Sequence, residues 1–196
     1  MSNVESAFSK VERIASLTEK RYGVTVSDLN YKNIDSDLKA VHDILSVATT
    51  DLNYQDSPSM DLIKNVLKSL KFFIVPSLVK IAREKETGLP VGFSLTIPDF
   101  NEVLKKTNGK VNIFKFLYYK RKIKRCRGML QYVIPKYQNK GTIAQLFYET
   151  GKTMKTLKLD YFEGGTIMEN NPSSWKPFVN LGGEISKIYR IYGKEI

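Results

Sequence analysis

The chain has 196 residues, with 31 Lys and Arg against 20 Asp and Glu, and a formal net charge of +11. Its 42% apolar content, with 11 Tyr and 10 Phe, is enough to fill a core, which excludes a disordered chain and suits one domain. A single Cys and a single His exclude an internal disulfide, a Cys-based zinc site and most histidine metal sites.

Val4, Phe8, Val11, Ile14 and Leu17 recur at helical spacing and predict an amphipathic helix that ends near Gly23. Val24 to Val26 suggests a first strand. Leu38, Val41, Leu45 and Ala48 mark a second helix opened by Asp35 or Ser36, and residues 49–58 read as a polar loop. Ser59 is placed to cap a third helix carrying Leu62, Ile63, Val66, Leu67 and Leu70. Two strands follow, Leu78–Ala82 and Pro90–Ile97, joined by a turn at Glu86 to Gly88. Asp99 and Glu102 form a capping-box pattern for a short helix to Gly109, and a second short helix covers Ile113–Tyr119. Met129–Ile134 is a strand stopped by Pro135, and a long helix begins after Gly141. Leu159–Met168 reads as a strand in which Gly164 and Gly165 mark a bulge or a close backbone approach. Asn171 caps a last helix with Pro172 at its first position, Pro177 falls within it, and Gly182–Gly183 ends it. Ile185–Tyr192 is predicted as the final strand. The order gives an α/β fold with a mixed sheet.

The N-terminal residues are polar and helical, so no secretory leader is expected. The most apolar window, Phe72–Val79, is too short to cross a bilayer, is flanked by Lys71 and Lys80, and contains Pro76. A soluble, cytoplasmic protein without a membrane partner is expected. Cys126 has no histidine near it in sequence and reads as a small buried residue rather than a nucleophile. His42, between Val41 and Ile44 in a helical pattern, reads as structural.

The segment from Met129 to Tyr148 carries the chemistry. After the strand, a loop with Gln138, Asn139, Lys140 and Gly141 feeds a helix whose apolar residues fall at Ile143, Leu146, Phe147, Met154 and Leu157. A helix start entered through a Gly-containing loop leaves backbone N–H groups aimed at one point, at the positive end of the helix dipole. That arrangement suits a phosphate, and Lys140 adds a full charge.

The run Val133-Ile-Pro-Lys-Tyr-Gln-Asn-Lys-Gly141 resembles the acetyl-CoA-binding segment of the GNAT superfamily of N-acetyltransferases. That segment is a valine-ended strand, then Pro-x-Tyr, then Arg/Gln-x-x-Gly-x-Gly/Ala. Gln138 and Gly141 match it, whereas Ile143 stands where a small residue is usual. Downstream, Asn170-Asn-Pro172 followed by Phe178-Val-Asn-Leu-Gly182-Gly183 is similar to the family's asparagine, helix and aromatic-x-x-Leu-Gly segment. Arg21-Tyr-Gly23, Pro90-Val-Gly-Phe93, Pro98-Asp-Phe-Asn101 and the basic run before the strand extend the resemblance over roughly residues 20 to 194. Together they resemble a little-characterised branch in which this domain is often the C-terminal half of a longer protein. The implied organisation is a helical extension at 1–20 and a GNAT-like acyltransferase domain at 21–196, with a helical insertion at 99–122 before the cofactor strand.

The resemblance implies an acyl-CoA-dependent N-acyltransferase, with acetyl-CoA or another acyl-CoA as co-substrate and no metal. The acceptor would be a small-molecule or peptide amine, and the protein a monomer or homodimer. The pyrophosphate cradle would be Gln138, Asn139, Lys140, Gly141, Thr142 and Ile143. Backbone N–H groups of Gln131, Tyr132 and Val133 would hold the pantetheine and polarise the thioester carbonyl, whose developing oxyanion they stabilise. Asn171 would lie beside the thiol arm. Many family members protonate the leaving thiolate with a tyrosine where this chain has Phe178, so the acid is unassigned, with Tyr132 and Tyr161 as candidates. Glu163 or Glu169 would serve as base. Ile143 would crowd the pyrophosphate unless it turns into the core.

Basic residues concentrate at Lys120–Arg127, with Lys105, Lys106, Lys110 and Lys115 upstream and Phe114, Phe116, Tyr118 and Tyr119 interleaved. The run reads first as a solvated basic loop whose aromatics pack inward, and next as a contribution to CoA phosphates or to an acidic substrate; charge with aromatic rings also suits single-stranded nucleic acid. The alternative reading is therefore a catalytically degenerate GNAT-fold binding protein, associated with nucleic acid through residues 120–127.

Overall fold

A computed structural model describes residues 3–50, 56–109 and 113–193. Residues 51–55 of the expected loop at 49–58, and Lys110 of the basic segment, fall outside these residues. Five strands form one sheet in the order β1-β2-β3-β4-β5: Val24–Asp28, Val79–Glu84, Pro90–Pro98, Arg125–Val133 and Tyr161–Glu163. The first four are antiparallel neighbours and β5 runs parallel to β4, so the sheet is mixed as the sequence predicts.

The helices are α1 (Asn3–Tyr22), α2 (Ile34–Ala48), α3 (Met60–Leu70), α4 (Asn101–Lys106), α5 (Ile113–Lys120), α6 (Thr142–Leu157) and α7 (Pro172–Asn180). Ser59 caps α3 as predicted, its Oγ accepting from the Leu62 amide at 3.2 Å. One sheet face packs on α2, where Ile44, Leu45, Ile81 and Phe93 are buried together and Ile63 and Leu67 of α3 join them. Burying a side chain such as Ile44 contributes about 1.5–3 kcal/mol. The other face packs on α6 through Val24, Ala82, Val91, Val133, Tyr137 and Leu146. Helix α1 lies against α6. Gly151 sits under the Phe8 ring at one end, and Thr18 reaches the loop before α6 at the other.

A polar row crosses the α6 face. Asp28, Lys80, Ser94 and Gln131 are successive cross-strand partners on β1 to β4, so their side chains share one face. The Lys80 side chain is 3% exposed and donates to Asp28 at 2.6 Å and to Thr153 of α6 at 2.8 Å. Ser94 Oγ and Gln131 Nε2 are buried there without a protein partner.

Three local expectations are corrected. The Asp99–Glu102 capping box does not form. Asp99 Oδ1 instead accepts from Asn101, and Glu102 turns away to the Lys124 amide and to Arg125. The strand expected at 159–168 is confined to Tyr161–Glu163, because at Gly165 the chain presses on the Gly128 carbonyl, where a Cβ would come within 2.8 Å. That contact is the predicted close approach. Residues 185–192 form no strand, and Ile185, Ile188, Tyr189, Ile191 and Tyr192 are all exposed. Alternating apolar residues specify a strand only when an edge is there to pair with.

Candidate functional site

The site forms where β4 and β5 part. They pair at Arg125–Tyr161, Cys126–Phe162 and Arg127–Glu163 and no further, although β4 continues to Val133. Two features of β4 set the gap. A bulge at Met129, between the Leu95–Leu130 and Thr96–Gly128 pairs, bends the strand. Beyond it, the Ile134 amide donates to Val91 on the β3 side. Strand alternation then turns the Tyr132 backbone toward β3 and leaves the backbone of Gln131 and Val133 on the open edge. Of the strand residues predicted to offer amides, Gln131 and Val133 thus face the gap. Tyr132 does not, and its ring lies on the α2 side, stacked on Phe93 at 5.9 Å.

The loop above the gap is built as an anion cradle. Asn139 and Gly141 have positive φ of 57° and 84°, which reverses the chain into α6. Helix geometry leaves the N–H groups of the first turn of α6 without partners in the helix, and no side chain caps Gly141. Ile143 packs into the core beneath, so it does not crowd the space before those amides. Thr142 is buried and donates its hydroxyl to the Tyr137 carbonyl. Gln138 donates its side-chain amide to the Val133 carbonyl at 3.0 Å, tying the cradle to the open edge. The Lys140 ammonium lies 5.3 Å from the Tyr22 ring centre and 5.2 Å from that of Tyr137, held by ring faces rather than a carboxylate.

Two supports of this loop are absent from the sequence reading. The first is α1. Thr18 Oγ1 donates to the Ile14 and Lys140 carbonyls, and a Cβ on Gly141 would collide with that hydroxyl and with Ile14. Glycine is required at 141 by helix packing as well as by its backbone angle. The second is Tyr137, buried in the α6 core, whose hydroxyl donates to Glu84 at the end of β2. That bond, aided by burial, pushes the Tyr137 hydroxyl up to about 12. The hydroxyls of Thr87 and then Tyr137 hold Glu84 below the usual carboxylate range. Tyr137 belongs to the Pro-x-Tyr signal, but the carboxylate that receives it lies more than fifty residues upstream.

The lower end of the gap is closed by rings. Phe147 of α6, Phe162 of β5 and Phe178 of α7 lie with centroids 5.0 to 6.2 Å apart, and Phe178 also covers Gly164. Asn171 starts α7 as predicted, but its Oδ1 accepts from Ser173 rather than capping the helix. The helix passes through Pro177 to Asn180. Of the base candidates, Glu163 sits 3.7 Å from Arg127, and Glu169 pairs with Arg190 at 2.9 Å. Tyr161 lies under Arg125. Cys126 is buried, and burial followed by the Asp99 charge pushes its thiol up to about 12, which removes it as a nucleophile. The basic run is largely tied down. Lys120 donates to the Phe72 carbonyl and Lys122 to Tyr118, while Lys124, Arg125 and Arg127 pair with Asp160, Glu102 and Glu163. No helix among the described residues is long and apolar enough to cross a membrane.

No protein-family model matches the sequence, and no curated protein matches it. Solved structures do match its shape. AAC(6')-Iy, solved with the bisubstrate analog CoA-S-monomethyl-acetylneamine, superposes with TM-score 0.56 at 14% identity, over 88% of this chain and 99% of that one. A chain of the NatC complex bound to Gag peptide and CoA gives 0.51 at 15% identity, over 81% and 82%. A GNAT family acetyltransferase from Brucella melitensis, in complex with acetyl-CoA, gives 0.50 at 10% identity, over 77% and 80%. With the parted β4 and β5, the bulged fourth strand and the loop leading into α6, these likenesses establish that the chain has the GNAT fold.

Proposed function

We propose that this protein is an acyl-CoA-dependent N-acyltransferase, using acetyl-CoA to acetylate a small-molecule or peptide amine. The observation that carries the reading is the continuity of the open β4 edge with the cradle before α6. Amides facing the gap from Gln131 and Val133 lead directly to the free amides of the α6 first turn. The side chains present fit such a cofactor, since Ile143 is turned inward and Thr142 is engaged below.

The thioester would supply the activated acetyl group. The first-turn amides, from Gly141 through Thr142 and Ile143, would hold the pyrophosphate. The amides of Gln131 and Val133 would hold the pantetheine and donate to the carbonyl oxygen as it gains charge. Asn171, at the head of α7, would face the thiol arm. Phe178 offers no hydroxyl, so no proton leaves or arrives through that position. Glu163 is available to take the amine proton at the cost of its contact with Arg127.

The packed Phe178 ring also favours a second reading, a GNAT-fold binder that holds CoA without turnover. Both are tested by thermal shift with acetyl-CoA, followed by thiol release with a panel of small amines and peptides. A raised melting temperature and amine-dependent thiol release support the transferase. A shift without release under any acceptor supports the binder, and no shift at millimolar acetyl-CoA overturns both.

A further inference from the structure

Positive charge gathers beside the cradle without ion-pair partners, whereas half of the cations in the basic run are paired. In the run, Lys124, Arg125 and Arg127 are each neutralised by a carboxylate. Around the cradle the reverse holds. Among the described residues, Arg21, Lys85, Lys136 and Lys140 make no ion pair. Three contacts bring their segments together. The Lys85 amide donates to the Gly23 carbonyl, which brings the turn after β2 to the end of α1. Thr18 bonds the Lys140 carbonyl, which fixes α1 to the loop. Lys136 and Lys140 both lie over the Tyr137 ring, at 5.7 and 5.2 Å. One carboxylate lies on this side: Glu84 accepts from the hydroxyls of Thr87 and Tyr137 and feels the charge of Lys136.

Four cations around one carboxylate carry a net positive charge and repel one another, and such a cluster is relieved by a bound anion. The α6 amides account for one anion, the pyrophosphate. The cluster lies to the α1 side of them, on the turn after β2, the loop and the last turn of α1, and would take a second. Resting on the CoA reading above, we propose that Arg21, Lys85, Lys136 and Lys140 bind the 3′-phosphate of the cofactor, with α1 as one wall of its nucleotide end. The helix preceding β1 is then part of the binding site.

The test is calorimetric titration of the full chain with CoA, 3′-dephospho-CoA and phosphopantetheine at low and moderate salt. CoA should bind about tenfold more tightly than 3′-dephospho-CoA at low salt, with the advantage shrinking as salt rises. Lys140→Gln, and separately Arg21→Gln, should reduce that advantage to about twofold while 3′-dephospho-CoA binds as to the parent. Lys68→Gln, on the exposed side of α3, should leave the ratio unchanged and controls for net charge. Equal affinity for CoA and 3′-dephospho-CoA overturns the proposal, as does a Lys68→Gln effect equal to that of Lys140→Gln. So does weakening of both ligands in parallel by Lys140→Gln and Arg21→Gln. In all three cases the CoA reading stands. If none of the three ligands binds, that reading falls as well.

Discussion

Replacing Gly141 with alanine tests whether α1 and the cradle are one unit. The substitution introduces two separable costs. An alanine held at φ 84° sits in the left-handed region, which costs about 1–2 kcal/mol. Its Cβ also meets the Thr18 hydroxyl and comes within 3.0 Å of Ile14 Cγ2. Thr18 must rotate or α1 must lift, giving up bonds of 2.9 and 3.0 Å to the Ile14 and Lys140 carbonyls, worth about 1 kcal/mol net. The total is about 2–4 kcal/mol, which for a chain of this size lowers Tm by roughly 5–15 °C. The assay is a double-mutant cycle by thermal or urea unfolding with Thr18→Ala, which removes the colliding oxygen. Gly141→Ala should cost about 1 kcal/mol less in the Thr18→Ala background than in the parent. An identical loss in both backgrounds, or no loss in the parent, would refute the argument that helix packing fixes this glycine. An aspartate at 141 would strike α1 in the same way, so its effect on ligand binding says little about phosphate.

Tyr137 should be among the last tyrosines to ionise. Its folded pKa is raised, so its contribution to stability is complete below the ordinary tyrosine range near 10 and is lost as pH rises through about 12. Titration followed by tyrosinate absorbance should show this late step in the parent and its loss in Tyr137→Phe; an unchanged titration curve would contradict the Glu84 bond. Glu84 acts in the opposite sense, supporting the fold above the usual carboxylate range and losing that support as pH falls through its depressed value. Phe178→Tyr should not rescue turnover. The far end of its ring lies beside Gly164, within the Phe147–Phe162–Phe178 cluster, so the added oxygen is directed into that cluster; a many-fold rise in acetyl transfer would show instead that the ring reaches the thiol. Single-stranded oligonucleotides should bind weakly and be released near physiological salt, because Lys124, Arg125 and Arg127 are already paired with carboxylates; tight, salt-resistant binding measured by fluorescence anisotropy would overturn this.

Local chemistry in the chain was legible where it needs nothing from afar. Ser59 caps α3 through its own third residue, and the run from Met129 to Gly141 announces strand, loop and helix start through Pro135 and Gly141. Ile143 breaks the family pattern, and only the position of the core shows that its side chain turns harmlessly inward. The amide pattern on β4 was half legible. Three consecutive residues cannot all face one edge, yet which of them do depends on the bulge at Met129 and the bond from Ile134 to Val91. Thr18 over Gly141 and Glu84 on Tyr137 join segments 122 and 53 residues apart, and nothing local encodes such pairs. The capping box failed because Arg125 and the Lys124 amide compete for Glu102.

The polar row on the α6 face bears on how the sheet finds its alignment. Alternation of apolar and polar residues excludes a slip by one residue, because that would turn every side chain over. It does not exclude a slip by two, which returns each side chain to its face. Lys80 excludes it. At 3% exposure its ammonium has a carboxylate opposite only when Val26 faces Ala82 and Asp28 faces Lys80. Shifted by two, the same charge would be buried without a counter-ion, at a cost of about 3–5 kcal/mol. One buried ion pair thereby chooses among alignments that hydrophobicity leaves equal, and places β1 and β2 in the frame against which β3 and the open edge of β4 are laid down.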